Sequence, residues 1–418
     1  MFFVLYWLAI RFYALGVRVA SLFNPKAKLF IRGRKDLLRD IRYALFEEKR
    51  ARIWVHCASL GEFEQGRPLI EKLRVKYPTH AMILTFFSPS GYEVRKGYPG
   101  ADYVFYMPLD SPYNAHHFIK AVQPSLALFV KYELWYSYLM KLSAAEIPVI
   151  LVSAIFRKSQ PYFKWYGKLH RKMLNAFTHI FVQDATSVQM LKDIGVKDVS
   201  IGGDTRFDRV ADAVVHKYDM ADMSEFCKNS KIIIAGSTWK EDEELLKKVF
   251  DKLPEKWKLV IVPHETDIAH MKELMELHEG DAVLWSRFKI DYYDQRVLLI
   301  DSVGMLLRLY QYANIAYVGG GFNKSGIHNL LEAAVYGKPV FHGPEYHKFK
   351  EAHDLLKAGA TRVVKMPDEM LQQILLWEKD RINYNAASIA AKKYVMNNTG
   401  ATHKIINYIE EKHLLSSE

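Results

Sequence analysis

The chain has 418 residues, 50% hydrophobic, 25% charged and 13% aromatic. This excludes a stapled mini-protein, a disordered chain and a fibrous repeat. The two cysteines, Cys57 and Cys227, lie far apart, which argues against a disulfide framework or thiolate metal site and for a reducing, cytoplasmic setting. Lysine and arginine (58) exceed aspartate and glutamate (47) by 11, which admits a nucleic acid, a membrane surface or an acidic substrate until the distribution is read. Met1 to Arg52 holds twelve basic and four acidic residues, so most of the excess sits there. Within it, 2–23 is almost wholly apolar and aromatic, interrupted by Arg11 and Arg18, whose spacing puts both on one helical face. That pattern fits a helix lying in a membrane interface better than a spanning helix, which wants about 20 uncharged apolar residues. A buried helix with snorkelling arginines and a single-pass anchor are the alternatives. The start Met-Phe-Phe lacks the basic region of a secretory signal.

After Arg52, short β-rich apolar runs alternate with helical stretches, the pattern of parallel sheets with crossover helices. One strand series covers 52–58, 81–87, 103–107, 125–130, 148–152, 179–182 and 199–202; a second covers 231–235, 258–262, 282–284, 297–300, 315–318, 339–341 and 362–364. Strand signals lapse over 204–229, placing a boundary near 205–225. The expectation is two doubly wound α/β, Rossmann-like domains: 1–50 as a basic, apolar N-terminal segment, 51–210 and 225–395 as the domains, and 396–418 as a C-terminal helix that closes the second domain or crosses back to the first.

Ligands of open α/β sheets bind at the carboxyl ends of strands. Glu62, in the first helical turn after the strand that ends His56-Cys57-Ala58, stands where a general base could work, or simply interacts favourably with the helix dipole. Glu133 follows another strand, with Lys131 able to pair with it. Arg206, in Gly202-Gly203-Asp204-Thr205-Arg206, could hold a phosphate or carboxylate from the interdomain cleft, or form a hinge salt bridge. The densest motif is Gly319-Gly320-Gly321-Phe322-Asn323-Lys324-Ser325-Gly326-Ile327-His328-Asn329-Leu330-Leu331-Glu332. Its glycines let backbone approach a ligand closely, the following helix offers amides to a phosphate, and Glu332, about one turn into that helix, could bond a ribose diol. It is neither a Walker A motif nor a GxGxxG fingerprint. Gly236-Ser237-Thr238, Pro263-His264-Glu265 and Val303-Gly304-Met305 end or follow neighbouring strands. The sixteen histidines show no zinc-ligand spacing, so no metal is expected.

Together, the motifs His56-Cys57-Ala58-Ser59-Leu60-Gly61-Glu62, Glu133-Leu134-Trp135, Gly236-Ser237-Thr238, His328-Asn329-Leu330-Leu331-Glu332 and Gly343-Pro344 resemble the 3-deoxy-D-manno-octulosonic acid (Kdo) transferases of Gram-negative lipopolysaccharide synthesis over nearly the whole chain. The resemblance implies a GT-B glycosyltransferase whose two domains face a cleft, with CMP-Kdo in the C-terminal domain and a lipid A precursor, lipid IVA, reaching the N-terminal domain from the cytoplasmic face of the inner membrane. It implies inverting transfer with no metal or other cofactor. Position by position, Glu62 matches the general base, Glu133 and Arg206 assist at the transition state, and Pro263, His264, Val303, Gly304, Met305, Asn329, Leu330, Leu331 and Glu332 line the CMP site, beside Ser237 and Thr238. The sequence departs from the family at Pro263-His264-Glu265, where Pro-Arg-His is common, and at Arg206, where lysine is common. Two rival readings are a GT-B enzyme using a UDP-sugar and a non-catalytic, membrane-attached nucleotide-binding protein. Nucleic acid is disfavoured because the charge excess sits beside an apolar segment.

Overall fold

The computed structural model describes residues 2–215, 220–288, 292 and 294–415. Met1, residues 416–418 and residues 216–219 of the expected boundary region lie outside these. The chain divides into two compact units, Met1–Arg209 with Thr399–Glu418, and Val210–Asn398.

All fourteen predicted strands form, seven in each of two parallel sheets. The first sheet holds β1 (Arg52–Cys57), β2 (Ala81–Phe86), β3 (Tyr103–Tyr106), β4 (Leu126–Val130), β5 (Val149–Ala154), β6 (His179–Val182) and β7 (Val199–Ile201), in the order β3-β2-β1-β4-β5-β6-β7. The second holds β8 (Lys231–Thr238), β9 (Trp257–Pro263), β10 (Ala282–Leu284), β11 (Val297–Leu299), β12 (Ile315–Val318), β13 (Val340–His342) and β14 (Thr361–Val363), in the order β10-β11-β9-β8-β12-β13-β14.

Every residue of β1, β2, β4 and β5 is buried, because helices cover both faces of a parallel sheet. Alternate residues serve alternate faces: Trp54, Phe129 and Leu151 pack under the helices Leu37–Ala44, Pro112–Val122 and Tyr136–Ala144. Val55, Leu128 and Ile150 pack under Leu60–Lys76 and, from the far end of the chain, under Ile405, Ile406 and Ile409 of the helix Ala401–Glu411. That last helix is fastened at its start by Asp208, whose carboxylate accepts from the Gly400 and Thr402 amides.

The N-terminal helix Phe2–Ala20 lies against the first unit by one face only. Tyr6 donates to Asp110 (2.5 Å), the Phe3 ring meets Tyr136 (5.2 Å) and Tyr13 meets Phe30 and Phe87. None of the window Phe3–Ala20 is buried, so the alternative of a buried helix does not hold. By length and composition alone the helix could cross a membrane. Leu5, Leu8, Phe12, Leu15 and Val19, spaced three and four apart on the opposite stripe, are exposed, with Arg11 and Arg18 along its border.

Candidate active site

In the first sheet the winding direction reverses between β1 and β4, and in the second between β8 and β12. Ligand crevices of open sheets open at the carboxyl ends of such strand pairs. All the candidate residues except Pro263, His264, Arg206 and the segment Val303–Met305 end or follow one of these four strands.

At the first switch point, β1 runs through Ser59 into the helix Leu60–Lys76. The Ser59 hydroxyl caps no helix amide and donates instead to the carboxylate of half-buried Glu62. Gly66, one turn further on, lets this helix settle on the sheet: a Cβ there would stand 3.1 Å from Val130 Cγ2 and 3.2 Å from Cys57 Sγ. After β4, Lys131 takes a left-handed conformation (φ 72°), unusual for a non-glycine residue. The expected Lys131–Glu133 pair does not form: the Lys131 ammonium lies over the Tyr132 ring, 5.6 Å from its centre. Glu133 Oε2 accepts instead from Trp135 Nε1 (2.7 Å) and pairs with His56 Nε2 (3.1 Å). A surface ion pair was expected because neighbouring charges suggest one, but at 9% exposure Glu133 is beyond what a solvated lysine reaches cheaply.

The two carboxylates belong to one electrostatic neighbourhood. The buried Cys57 thiol at the end of β1 is pushed well up, first by burial and then by Glu62, Glu133 and Glu64. Burial likewise raises the Tyr132 phenol, with Arg157 and Arg206 opposing and Glu62 reinforcing the rise. Arg206 is held rather than free. Its Nε and Nη2 donate to Asp204 Oδ2 (2.9 and 2.7 Å), while Asp204 Oδ1 accepts from the Arg206 amide (2.9 Å) and Gln65 Nε2 (3.2 Å). The guanidinium is thereby fixed in direction, as the sequence motif also allowed.

At the second switch point, β8 bulges at Ser237, another non-glycine residue with positive φ (53°), and this shifts its register against β9. The bulge turns Thr238 inward, where its hydroxyl donates to Glu243 Oε1 (2.8 Å), so Thr238 has only backbone to offer a ligand. Asp242 ties this turn to the glycine loop after β12. It accepts from the Trp239 and Gly320 amides (3.0 and 2.9 Å) and from the Tyr317 hydroxyl (2.6 Å). Burial raises its carboxyl, and those three donors pull it back.

The glycines serve the protein's own backbone. A Cβ on Gly319 would lie 2.4 Å from Ser237 O, and one on Gly321 would lie 2.6 Å from Gly343. The helix that follows is only Leu331–Ala334, so Glu332 stands in its first turn and not one turn in, accepting from Asn329 Nδ2 (3.2 Å). Leu330 and Leu331 are buried, leaving Asn329 and Glu332 as the half-exposed polar members. His264 is exposed beyond Pro263 and stacks between Trp239 (4.7 Å) and His328 (4.5 Å). Trp239 Nε1 donates to His328 Nε2 (3.2 Å), and burial followed by His264 pushes His328 down to about 4. Val303 is 92% exposed and Gly304 has φ 88°, just before the short helix Leu306–Leu309. Among the described residues no cluster of three or more His, Cys, Asp or Glu could hold a metal ion.

Residues 37–209 match the family model for 3-deoxy-D-manno-octulosonic-acid transferase (kdotransferase). The chain is 30% identical over 338 residues to a protein of Aquifex aeolicus named 3-deoxy-D-manno-octulosonic acid transferase, covering 77% of this chain and 84% of that one. The chain belongs to the Kdo transferase family. A Haemophilus influenzae protein of the same name is 26% identical over 371 residues, 86% of each chain. The family makes this chain a glycosyltransferase. Its fold is also similar to that of a UDP-N-acetylglucosamine 2-epimerase structure from Listeria monocytogenes (TM-score 0.61, 14% identity, 88% of this chain and 98% of that one), a likeness of fold alone that accords with the GT-B class.

Reading the sequence missed several residues of this family member's strand ends. Trp239, Tyr132, Arg157 and Asp242 carry no motif of their own. His56 stood inside a quoted motif without a role, although a histidine among the apolar residues of an all-buried strand must find partners, and that was its signal.

Proposed function

We propose that this chain transfers Kdo from CMP-Kdo to the lipid A precursor lipid IVA at the cytoplasmic face of the inner membrane, inverting the anomeric centre without a metal. The reading rests on the likeness to the Aquifex aeolicus Kdo transferase along 77% of the chain. Glu62, at a switch-point strand end, takes the proton of the acceptor hydroxyl as that oxygen bonds to the ketosidic carbon of Kdo. The bond from that carbon to the CMP phosphate breaks from the opposite side, and CMP leaves with the electron pair. Glu133 and Arg206 support the charge that develops.

CMP is held by backbone at Ser237 and Thr238, by Pro263 and His264, by Val303, Gly304 and Met305, and by Asn329, Leu330, Leu331 and Glu332. Val303, nearly fully exposed, has area free for a ligand. With His264 where an arginine is common, the cation for the donor must come from elsewhere. The N-terminal helix lies in the lipid surface by its stripe of Leu5, Leu8, Phe12, Leu15 and Val19, and Arg11 and Arg18 meet anionic headgroups.

Mass spectrometry of reactions containing CMP-Kdo and tetraacylated lipid A precursor, with the parent and its Glu62→Ala variant, tests the reading. Added Kdo mass with the parent and none with the folded variant is the expected result. A CMP-binding parent that yields no product overturns the acceptor assignment. For the membrane part, Phe12→Asp with Leu15→Asp should abolish sedimentation with phosphatidylglycerol vesicles; unchanged sedimentation refutes the in-plane helix.

A further inference from the structure

At the carboxyl edge of one face of the first sheet, His56 of β1 and Thr85 of β2 sit side by side, both fully buried. Trp54 Nε1 donates to Thr85 Oγ1 (2.8 Å), and Thr85 Oγ1 lies 2.8 Å from His56 Nδ1. His56 Nε2 lies 3.1 Å from Glu133 Oε2, which also accepts from Trp135 Nε1. Phe129 packs edge-on against the imidazole.

The hydrogens along this row can be counted. A carboxylate only accepts, so the ring hydrogen must be on Nε2, pointing to Glu133. Nδ1 is then a lone pair, and the Thr85 hydroxyl, its own oxygen already taking the Trp54 hydrogen, donates to it. The opposite tautomer would set the Nε2 and Oε2 lone pairs face to face and take from the Thr85 hydroxyl its Nδ1 acceptor. The chain therefore has one direction: Trp54 to Thr85 to His56 to Glu133, met from the other side by Trp135.

We infer that His56 is a positioning residue of the transfer reaction, and that Trp54 and Thr85 set its tautomer so that two N–H donors converge on Glu133 Oε2 and present Oε1 to the substrate. Oε1 has no protein partner among the described residues. A carboxylate gripped through one oxygen has a fixed plane, so its free oxygen meets a sugar hydroxyl without first losing rotational freedom. Misplacing a positioned group costs up to about 100-fold in rate.

This rests on reading Glu133 as an assisting carboxylate, and the test separates the two. Steady-state kcat and KM for CMP-Kdo and lipid A precursor are measured for Glu133→Gln, Thr85→Val, Thr85→Ser, His56→Phe and His56→Gln, with CMP binding and thermal melting as checks of folding. Glu133→Gln at parental kcat overturns the role of Glu133 itself and the inference with it. With Glu133→Gln impaired, Thr85→Val and His56→Phe should lower kcat about 10- to 100-fold with little change in either KM. Thr85→Ser, which keeps the hydroxyl, and His56→Gln, whose Nε2 amide still donates to Glu133, should recover most of that loss. A folded Thr85→Val or His56→Phe enzyme at parental kcat overturns the inference. So does a loss that Thr85→Ser and His56→Gln fail to restore, since that pattern marks packing alone. If the valine variant does not fold because Trp54 Nε1 is orphaned, Trp54→Phe/Thr85→Val removes both groups and is read in the same way.

Discussion

The two units each hold a seven-stranded parallel sheet and differ at its carboxyl edge. The rim of the first sheet is built of ionised groups and their holders: Glu62 beside Ser59, Glu133 gripped by His56 and Trp135, Arg206 clamped by Asp204, and Glu64 between Arg95 and Arg209. The rim of the second is built of backbone and rings. Glycines there lie where a Cβ would collide with neighbouring chain, and a Trp239–His264–His328 stack stands beside them. The first rim can move a proton and support charge; the second can wrap a flat, phosphorylated ligand. The proposed division of labour rests on side-chain choice at equivalent places in one fold, and not on the fold itself.

The sharpest way to break the comparison is Glu62→Gln, which keeps the shape of the first rim and removes the carboxylate proposed as its base. Transfer should fall by about 10²- to 10⁴-fold while CMP affinity, proposed above to belong to the second unit, stays at the parental value by calorimetry. A fall in CMP affinity would show that the rims do not divide the work. Next, Gly319→Ala forces a Cβ to within 2.4 Å of Ser237 O. Backbone must move, so the second unit should lose about 1–3 kcal/mol in denaturant unfolding, with weakened CMP binding. Gly66→Ala in the first unit meets only Val130 Cγ2 and Cys57 Sγ at 3.1 and 3.2 Å, contacts that give by a few tenths of an ångström, and should cost clearly less in the same measurement.

Asp208→Ala removes the acceptor for the Gly400 and Thr402 amides at the start of the last helix and should cost about 1 kcal/mol, seen as earlier hydrogen exchange across Ala401–Glu411. The smallest effect is acid sensitivity at the second rim. His328 has its value pushed down to about 4 in the folded chain from an ordinary 6.5. Above about pH 6.5 the ring is neutral folded or unfolded, and its contribution is whole. Between 6.5 and 4 the unfolded chain binds a proton that the folded ring refuses, so stability falls as pH falls, by about 1 kcal/mol after allowance for solvent. His328→Gln should flatten that part of the stability curve.

Strand existence was legible because it is local: a run such as Ile53-Trp54-Val55 bounded by turn residues has few other ways to be buried. Glu62 was legible for the same reason, as the first carboxylate after such a run. The partners of Glu133 were not. His56 and Thr85 come to it from β1 and β2, across a pairing that no short window contains, whereas Lys131, two residues away, was the neighbour that sequence suggested. The packing of the glycine loop was hidden likewise, since Gly319 and Gly321 answer to Ser237 and Gly343, which sequence distance conceals.

The amino-acid sequence alone determined the alternation of fourteen apolar strands with amphipathic helices, the family motifs and the crowding of positive charge into the first fifty-two residues, because periodicity, residue identity and charge are written in order along the chain. Only the tertiary structure decided that β11 inserts between β9 and β10 while β1 and β4 lie side by side. Strand order depends on which buried faces match across long stretches of chain, and it is that order that sets Glu62, Glu133 and His56 at one strand edge.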